Sequence, residues 1–280
     1  MLVEKYLHAS GFIIDFRYIC PNIGSMTTHN ETKLRRLLSS VKPETAVLAS
    51  WLEELGISRD LQKHYRNSGW LETIDRGAFK RPGENVQWQG ALYAMQYQAN
   101  LNVHVGAITA LSMQGFSHYF RLSEEKLFLF SPRKTNLPRW FLRQDWGSPI
   151  SHYQTTFLPI GLGIVEHEEK NFHIQISSPE RALFESLYLA PDTIDLVECF
   201  HIMEALVNLQ PKLVQELLQK CKSIQVKRLF LYLAEKAKHN WFQFIDLSSV
   251  DLGSGSRRIT AGGVYVSKYQ ITIPKELAEL

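Results

Sequence analysis

The sequence predicts an α+β fold: an N-terminal winged helix-turn-helix near residues 31–83, then a larger mixed α/β domain with a helical middle and C-terminal strands. Three observations carry this expectation. Residues 31–83 read as helix, short segment, helix, turn, helix and hairpin in close succession. From Ser178 the chain is apolar at helical spacing to about Trp241. Strand-like runs flank that stretch on both sides, and one of them, residues 172–176, alternates apolar and polar.

Leu34, Leu37, Leu38 and Val41 recur at the spacing of a first helix. Residues 49–55 give a short second helix, ended by Gly56. Ser58 is a good N-cap for a third helix that runs to about Asn67, with Gly69 closing it. Residues 70–74 and 78–81 form two strands joined through Asp75-Arg76-Gly77, and Pro82-Gly83 ends the unit. A helix follows over 86–100, a short strand over 103–106 and a helix over 109–114. Strands are expected at 126–130 and 152–158, and a hairpin from 164–165 and 172–176. Ser178 with Pro179 opens the helical region as cap and first helical residue. The last strands are expected at 249–252, 263–266 and 269–273.

The boundaries follow from these elements: an extension over 1–25, a winged helix-turn-helix over 26–83 and a C-terminal domain over 84–280. Gly11-Phe12-Ile13-Ile14 is interrupted by Asp15 and Arg17, too short and too charged for a secretory core. Met26 reads as the native start, with residues 1–25 a non-native extension or a flexible arm that DNA binding does not need. The chain is 280 residues long, 45% apolar and 21% charged, the composition of a globular protein. It has no apolar run of about 18 residues, which argues against a membrane span. Cys20, Cys199 and Cys221 are far apart and read as reduced thiols of a cytoplasmic protein.

The net charge is +3, and its location is informative. Between Glu31 and Gly83 lie ten basic residues and seven acidic ones, so this stretch holds the whole excess. A local basic surplus suits a module that contacts phosphates, and equally an ordinary solvated surface. The third helix separates the two readings. With Leu61 and Tyr65 turned inward towards Trp70, its outer face shows Arg59, Gln62, Lys63, Arg66 and Asn67. These residue types contact phosphates and base edges when a helix enters the major groove. Arg76 at the hairpin tip, with Lys80 and Arg81 behind it, stands where a wing reaches the backbone of double-stranded DNA. The alternative is a small α/β unit that docks on a partner protein.

The same region carries a family resemblance. Trp51-Leu52, Gly56, Tyr65, Ser68-Gly69-Trp70-Leu71-Glu72, Arg76-Gly77-Ala78-Phe79 and Arg81-Pro82-Gly83 strongly resemble the N-terminal domain of AbiEi-family antitoxins. The likeness continues through Trp88-Gln89-Gly90-Ala91-Leu92, Val103-His104-Val105-Gly106 and Leu137-Pro138-Arg139-Trp140. It also takes in Pro179-Glu180-Arg181-Ala182, residues 227–231 and Asp251-Leu252-Gly253-Ser254-Gly255. Almost all of residues 31–275 falls within it; residues 1–25 do not. The resemblance implies an antitoxin of a type IV toxin–antitoxin operon, acting in phage defence by abortive infection. Its winged helix would bind inverted repeats in its own promoter and repress it. Its C-terminal domain would neutralise a nucleotidyltransferase-like toxin, without a stable complex.

Other constellations in the sequence carry chemistry of their own. Asp251-Leu252-Gly253-Ser254-Gly255-Ser256-Arg257-Arg258 combines glycines and two arginines, suited to an anion or to a strand-ending turn. It lacks the lysine and the following helix of a P-loop. Lys227 and Arg228 open an apolar helix, either to meet an acidic partner or as its solvated edge. Lys227, Arg228, Asp251, Ser254, Arg257 and Arg258 are accordingly the candidate antitoxicity residues. Gly161-Leu162-Gly163 precedes strand-like sequence, against a dinucleotide fingerprint. His167 and His173 among Glu166, Glu168 and Glu169 read as a charged hairpin before they read as a metal cluster. No catalytic residue, metal or cofactor is expected. A winged-helix regulator with a ligand-sensing or dimerising C-terminal domain is the alternative function. An enzyme acting on the toxin, such as a phosphotransferase, is a third.

Overall fold

Ser58 illustrates how locally much of this chain is written. Its hydroxyl accepts the Leu61 amide at 3.4 Å and opens a helix, α3, over Arg59–Asn67. The structure, a computed structural model, describes residues 28–116 and 126–280, with side chains from Lys33 onward. The expected arm over 1–25, the start at Met26 and Cys20 lie outside these residues. Helix α1 (Thr28–Ser40) belongs to a first unit that ends at Ser40, and residues 41–280 form a second.

The second unit begins with β1 (Val47–Leu48), α2 (Ala49–Glu54) and α3. Gly56 (φ 80) turns the chain between the helices, and Gly69 (φ 73) ends α3. Strands β2 (Glu72–Asp75) and β3 (Ala78–Lys80) follow as an antiparallel hairpin, in the sheet order β1-β3-β2. The sequence gives no sign of β1, which is only two residues long. Its outer edge is met by one side chain: the Gln98 amide donates to Ala46 O at 2.9 Å and accepts from Leu48 N at 2.8 Å. The expected helix over 86–100 is α4 (Trp88–Tyr93), widened into a π-helical turn over Ala94–Gln98. Ala99 N reaches Ala94 O at 3.0 Å to close that turn, which places Gln98.

A five-stranded mixed sheet comes next, in the order β6-β5-β4-β8-β7. Its strands are β4 (His104–Val105), β5 (Leu127–Ser131), β6 (Ile150–Gln154), β7 (Ile164–Glu168) and β8 (His173–Ser177). Helix α5 (Ala107–Leu111) follows β4, and α6 (Arg139–Arg143) lies between β5 and β6. Strand β6 is shorter than expected because Thr155 Oγ1 accepts the Phe157 amide at 3.2 Å and turns the chain. The charged hairpin forms: Glu166, His167 and Glu168 pair with Gln175, Ile174 and His173.

Four helices cover the apolar centre: α7 (Pro179–Leu189), α8 (Leu196–Ala205), α9 (Pro211–Lys220) and α10 (Ile224–Ala237). Phe184 of α7 and Phe230 of α10 pack as a tilted pair with centroids 4.4 Å apart. Cys199 and Cys221 are buried free thiols. A small sheet, β10-β11-β9, closes the chain with β9 (Arg257–Arg258), β10 (Val264–Val266) and β11 (Ile271–Ile273), before α11 (Lys275–Glu279). The strand expected at 249–252 is absent. Asp246 Oδ1 caps the Ser248 amide at 3.0 Å and draws 247–249 into a 3-10 turn.

Where sheet meets α7, a charged group is buried outright. The Glu185 carboxylate accepts from His104 Nε2 (2.9 Å), Arg181 Nε (2.8 Å), Ser177 Oγ (2.7 Å) and the Ala107 amide (3.1 Å). Burial alone would raise its pKa; His104, then Arg181 and Ser177, outweigh that and hold it at about 2. Gly106 is required beside it, since a Cβ there would stand 2.2 Å from Glu185 Oε2.

Candidate nucleic-acid interface

Helix α3 presents a short amphipathic surface. Tyr65 is fully buried, and Leu61 and Trp70 are half-buried, as their spacing suggests. Arg59, Lys63, Arg66 and Asn67 are exposed on the outside. Gln62 is not with them. It is 2% exposed, and its amide donates to Ala49 O and Ile57 O, both at 2.9 Å. It ties the start of α2 and the inter-helix turn to α3, so it is withdrawn from the groups that could read a base. Gln62→Leu would leave two buried carbonyls unmet and is expected to lower stability by about 1–3 kcal/mol. Chemical denaturation measures the loss, while the preference for promoter over scrambled DNA should not move. A lost preference in a folded variant would return Gln62 to the interface.

The exposed cations differ in how they are held. Arg59 pairs with Glu53 at 2.8 Å on an open surface, an exchangeable contact worth at most about 1 kcal/mol. The Arg66 guanidinium lies 5.5 Å from the centroid of Phe79 on β3, which holds it between helix and wing. Among the described residues, Lys63 and Asn67 carry no such restraint. At the wing tip, Gly77 (φ 85) makes the turn and the Arg76 amide bonds Asp75 Oδ1 at 2.6 Å, leaving the Arg76 side chain exposed.

Lys80 and Arg81 lie at the base of the wing. Lys80 pairs with Glu72 at 3.2 Å and donates to Glu84 O at 2.9 Å. Arg81 donates to Val41 O at 2.5 Å and sits 3.9 Å from Glu84. Their charge is already met by carboxylates and main chain, which sets them apart from Arg76 at the tip. The Glu72 carboxyl is held below its usual range by hydrogen bonds from Lys80 and the Gly83 amide. Arg143 on α6 is a cation that sequence reasoning missed. It lies 3.8 Å from Asp75 and is largely exposed, while Gln144 Nε2 donates to Ile74 O at 3.4 Å. Arg139-Trp140 marked this segment, yet no local pattern shows it backing the wing.

The C-terminal candidates divide just as clearly. Lys227 and Arg228 are buried, at 3% and 1% exposure, so neither is a docking residue nor a solvated edge. The Arg228 guanidinium donates to Leu252 O (2.8 Å), Gly255 O (2.6 Å), Gln270 O (3.1 Å) and Gly253 O (3.2 Å). The glycine loop therefore turns carbonyls inward around a cation instead of turning amides outward around an anion. Gly253 has φ 62 and its amide bonds Asp251 Oδ1 at 2.8 Å. Asp251, Ser254, Arg257 and Arg258 are exposed, the two arginines standing on edge strand β9. Among the described residues no three His, Cys, Asp or Glu side chains gather as metal ligands.

Two sequence profiles match the chain in succession. One, described as the N-terminal domain of a transcriptional regulator, AbiEi antitoxin, matches residues 30–122. The other, described as a transcriptional regulator, AbiEi antitoxin of the type IV toxin–antitoxin system, matches residues 124–274. A search of curated proteins returned no match. Among solved structures, the RV2827C protein from Mycobacterium tuberculosis is similar at 15% identity and a TM-score of 0.47, over 86% of this chain and 90% of that one.

Proposed function

The chain belongs to the AbiEi antitoxin family of transcriptional regulators from type IV toxin–antitoxin systems, and on that premise we propose that it represses its own operon and neutralises the toxin encoded beside it. The observation that carries the DNA-binding half is the exposed set Arg59, Lys63, Arg66 and Asn67 on α3, with Arg76 at the wing tip. In this reading α3 enters the major groove of promoter inverted repeats, the four cations take phosphates and Asn67 reads a base edge. Arg143 adds a phosphate contact beside the wing. The C-terminal part neutralises a nucleotidyltransferase-like toxin through Arg257, Arg258 and the loop that carries Asp251 and Ser254. No chemical step is assigned to it. The protein works where its operon lies, in the cytoplasm; no described helix is long and apolar enough to cross a membrane.

Each phosphate neutralised by a side chain releases counterions, so the DNA-binding half is testable as a slope. Arg66→Ala is expected to weaken binding to the promoter fragment and to reduce the slope of log K against log salt by about one unit. Changing Arg59, Lys63, Arg66 and Arg76 together should remove about four units and weaken binding to promoter and scrambled DNA alike. Fluorescence anisotropy across a salt series reads both. An unchanged slope in the fourfold variant would take α3 and the wing out of the interface.

A further inference from the structure

Beside the buried Glu185 lies a cavity of about 310 Å³, bounded by the ends of β4, β5 and β8 and by the loop that precedes β7. Arg181 lines it with a guanidinium held almost completely. Its Nε is on Glu185, and its Nη1 donates to Pro159 O (2.8 Å) and Leu162 O (2.7 Å). Nη2 is left without a hydrogen bond among the described residues, although the whole residue is only 5% exposed. The fixing is close: Gly163 has φ 69, and a Cβ there would stand 3.0 Å from Arg181 Cβ. Gln175, on the same wall, has its main chain held on both sides by Gln96 (2.9 and 3.0 Å), while its own amide makes no hydrogen bond among the described residues. Phe130, Leu158 and Ile164 supply apolar wall.

A held cation and an unused amide on the wall of a partly open cavity, polar on one side and apolar on the other and near the smallest size that takes organic ligands, are the parts of a binding site. We propose that this cavity binds a small monoanionic carboxylate with an apolar body of about ten non-hydrogen atoms, Arg181 Nη2 and the Gln175 amide being its donors. The charge state follows from the neighbour. Among the described residues Arg181 is the one lysine or arginine lining the cavity and already shares its charge with Glu185, so a single carboxylate is the most it can meet and the second charge of a phosphate dianion would enter uncompensated. A neutral amide of the same shape would leave the Arg181 donor facing a weaker acceptor.

The test uses the full chain, titrated with benzoate, nicotinate, benzamide and phenyl phosphate by calorimetry and by thermal shift. Benzoate or nicotinate is expected to bind with a Kd of about 1 mM or tighter, and benzamide and phenyl phosphate at least about tenfold more weakly. Ile164→Trp fills the cavity from its apolar side and should abolish binding, with the circular dichroism of the free protein unchanged. Gln175→Leu, which breaks no side-chain hydrogen bond among the described residues, should weaken binding about tenfold, and unchanged binding would overturn the proposal even if the tryptophan variant fails to fold. The proposal is overturned if neither carboxylate binds below about 10 mM, if benzamide or phenyl phosphate binds as well, or if a folded Ile164→Trp still binds.

Discussion

Glu185→Gln is expected to destabilise the protein by about 3–5 kcal/mol at neutral pH, because it leaves Arg181 buried without its counter-charge. Every polar contact of the wild-type carboxylate is an acceptance, from His104, Arg181, Ser177 and the Ala107 amide. A glutamine offers one acceptor oxygen in place of two and turns an N–H towards a donor. The pH dependence supplies a second reading of the same group. Its folded-state pKa, about 2, lies below the ordinary 4.5, so the folded state binds fewer protons than the unfolded chain. Its contribution is therefore fully present above about pH 4.5 and is lost as the pH falls towards 2, amounting to about 3 kcal/mol. Urea denaturation at a series of pH values should show that acid loss in the wild type and less of it in Glu185→Gln. Equal acid slopes in the two proteins would mean that the cluster is not what couples stability to pH.

Arg228→Leu should cost on the order of 3–4 kcal/mol, the size expected when a buried charged donor is removed and its acceptors are stranded. Four carbonyls meet this guanidinium, three of them within 252–255. Arg228→Lys should recover little, since one ammonium cannot span acceptors fixed around a planar fork. The variant is expected to open the loop at 251–258 to limited proteolysis and to lose antitoxicity with it. Arg257→Ala with Arg258→Ala tests the other side: the exposed pair should lower antitoxicity while leaving the melting temperature in place. If Arg228→Leu melts like the wild type, the carbonyl cradle does not organise this loop.

These two residues show where a sequence stops being legible. The α+β class, the helix-turn-helix with its wing and the helical middle were readable because their signals are local. Ser58 caps the helix it precedes, Gly77 makes the turn it sits in, and Pro179 follows its own capping serine. Arg228 looked solvated because its acceptors lie 24 to 42 residues further on. Gln62, polar on a short helix, reads as outward until its two carbonyl partners are seen in space. Lys80 and Arg81 add to a basic count whether or not Glu72 and Glu84 have already claimed them. Charge type is written in the sequence; whether a charge is already spent depends on contacts across the fold. The family motifs sharpen the point. Val103-His104-Val105-Gly106 and Pro179-Glu180-Arg181-Ala182 meet at Glu185, so residues that carry a resemblance here build the core.

Growth rescue tests the central claim most directly. The neighbouring gene is induced in cells that also express the full chain from an unrelated promoter, either as wild type or with Arg59, Lys63, Arg66 and Arg76 all changed to alanine. An antitoxin whose DNA-binding face is separate from its neutralising one predicts a toxic neighbour and equal rescue by both forms. Failure of both to rescue, with each shown folded and soluble, would contradict it and leave a winged-helix regulator in its place.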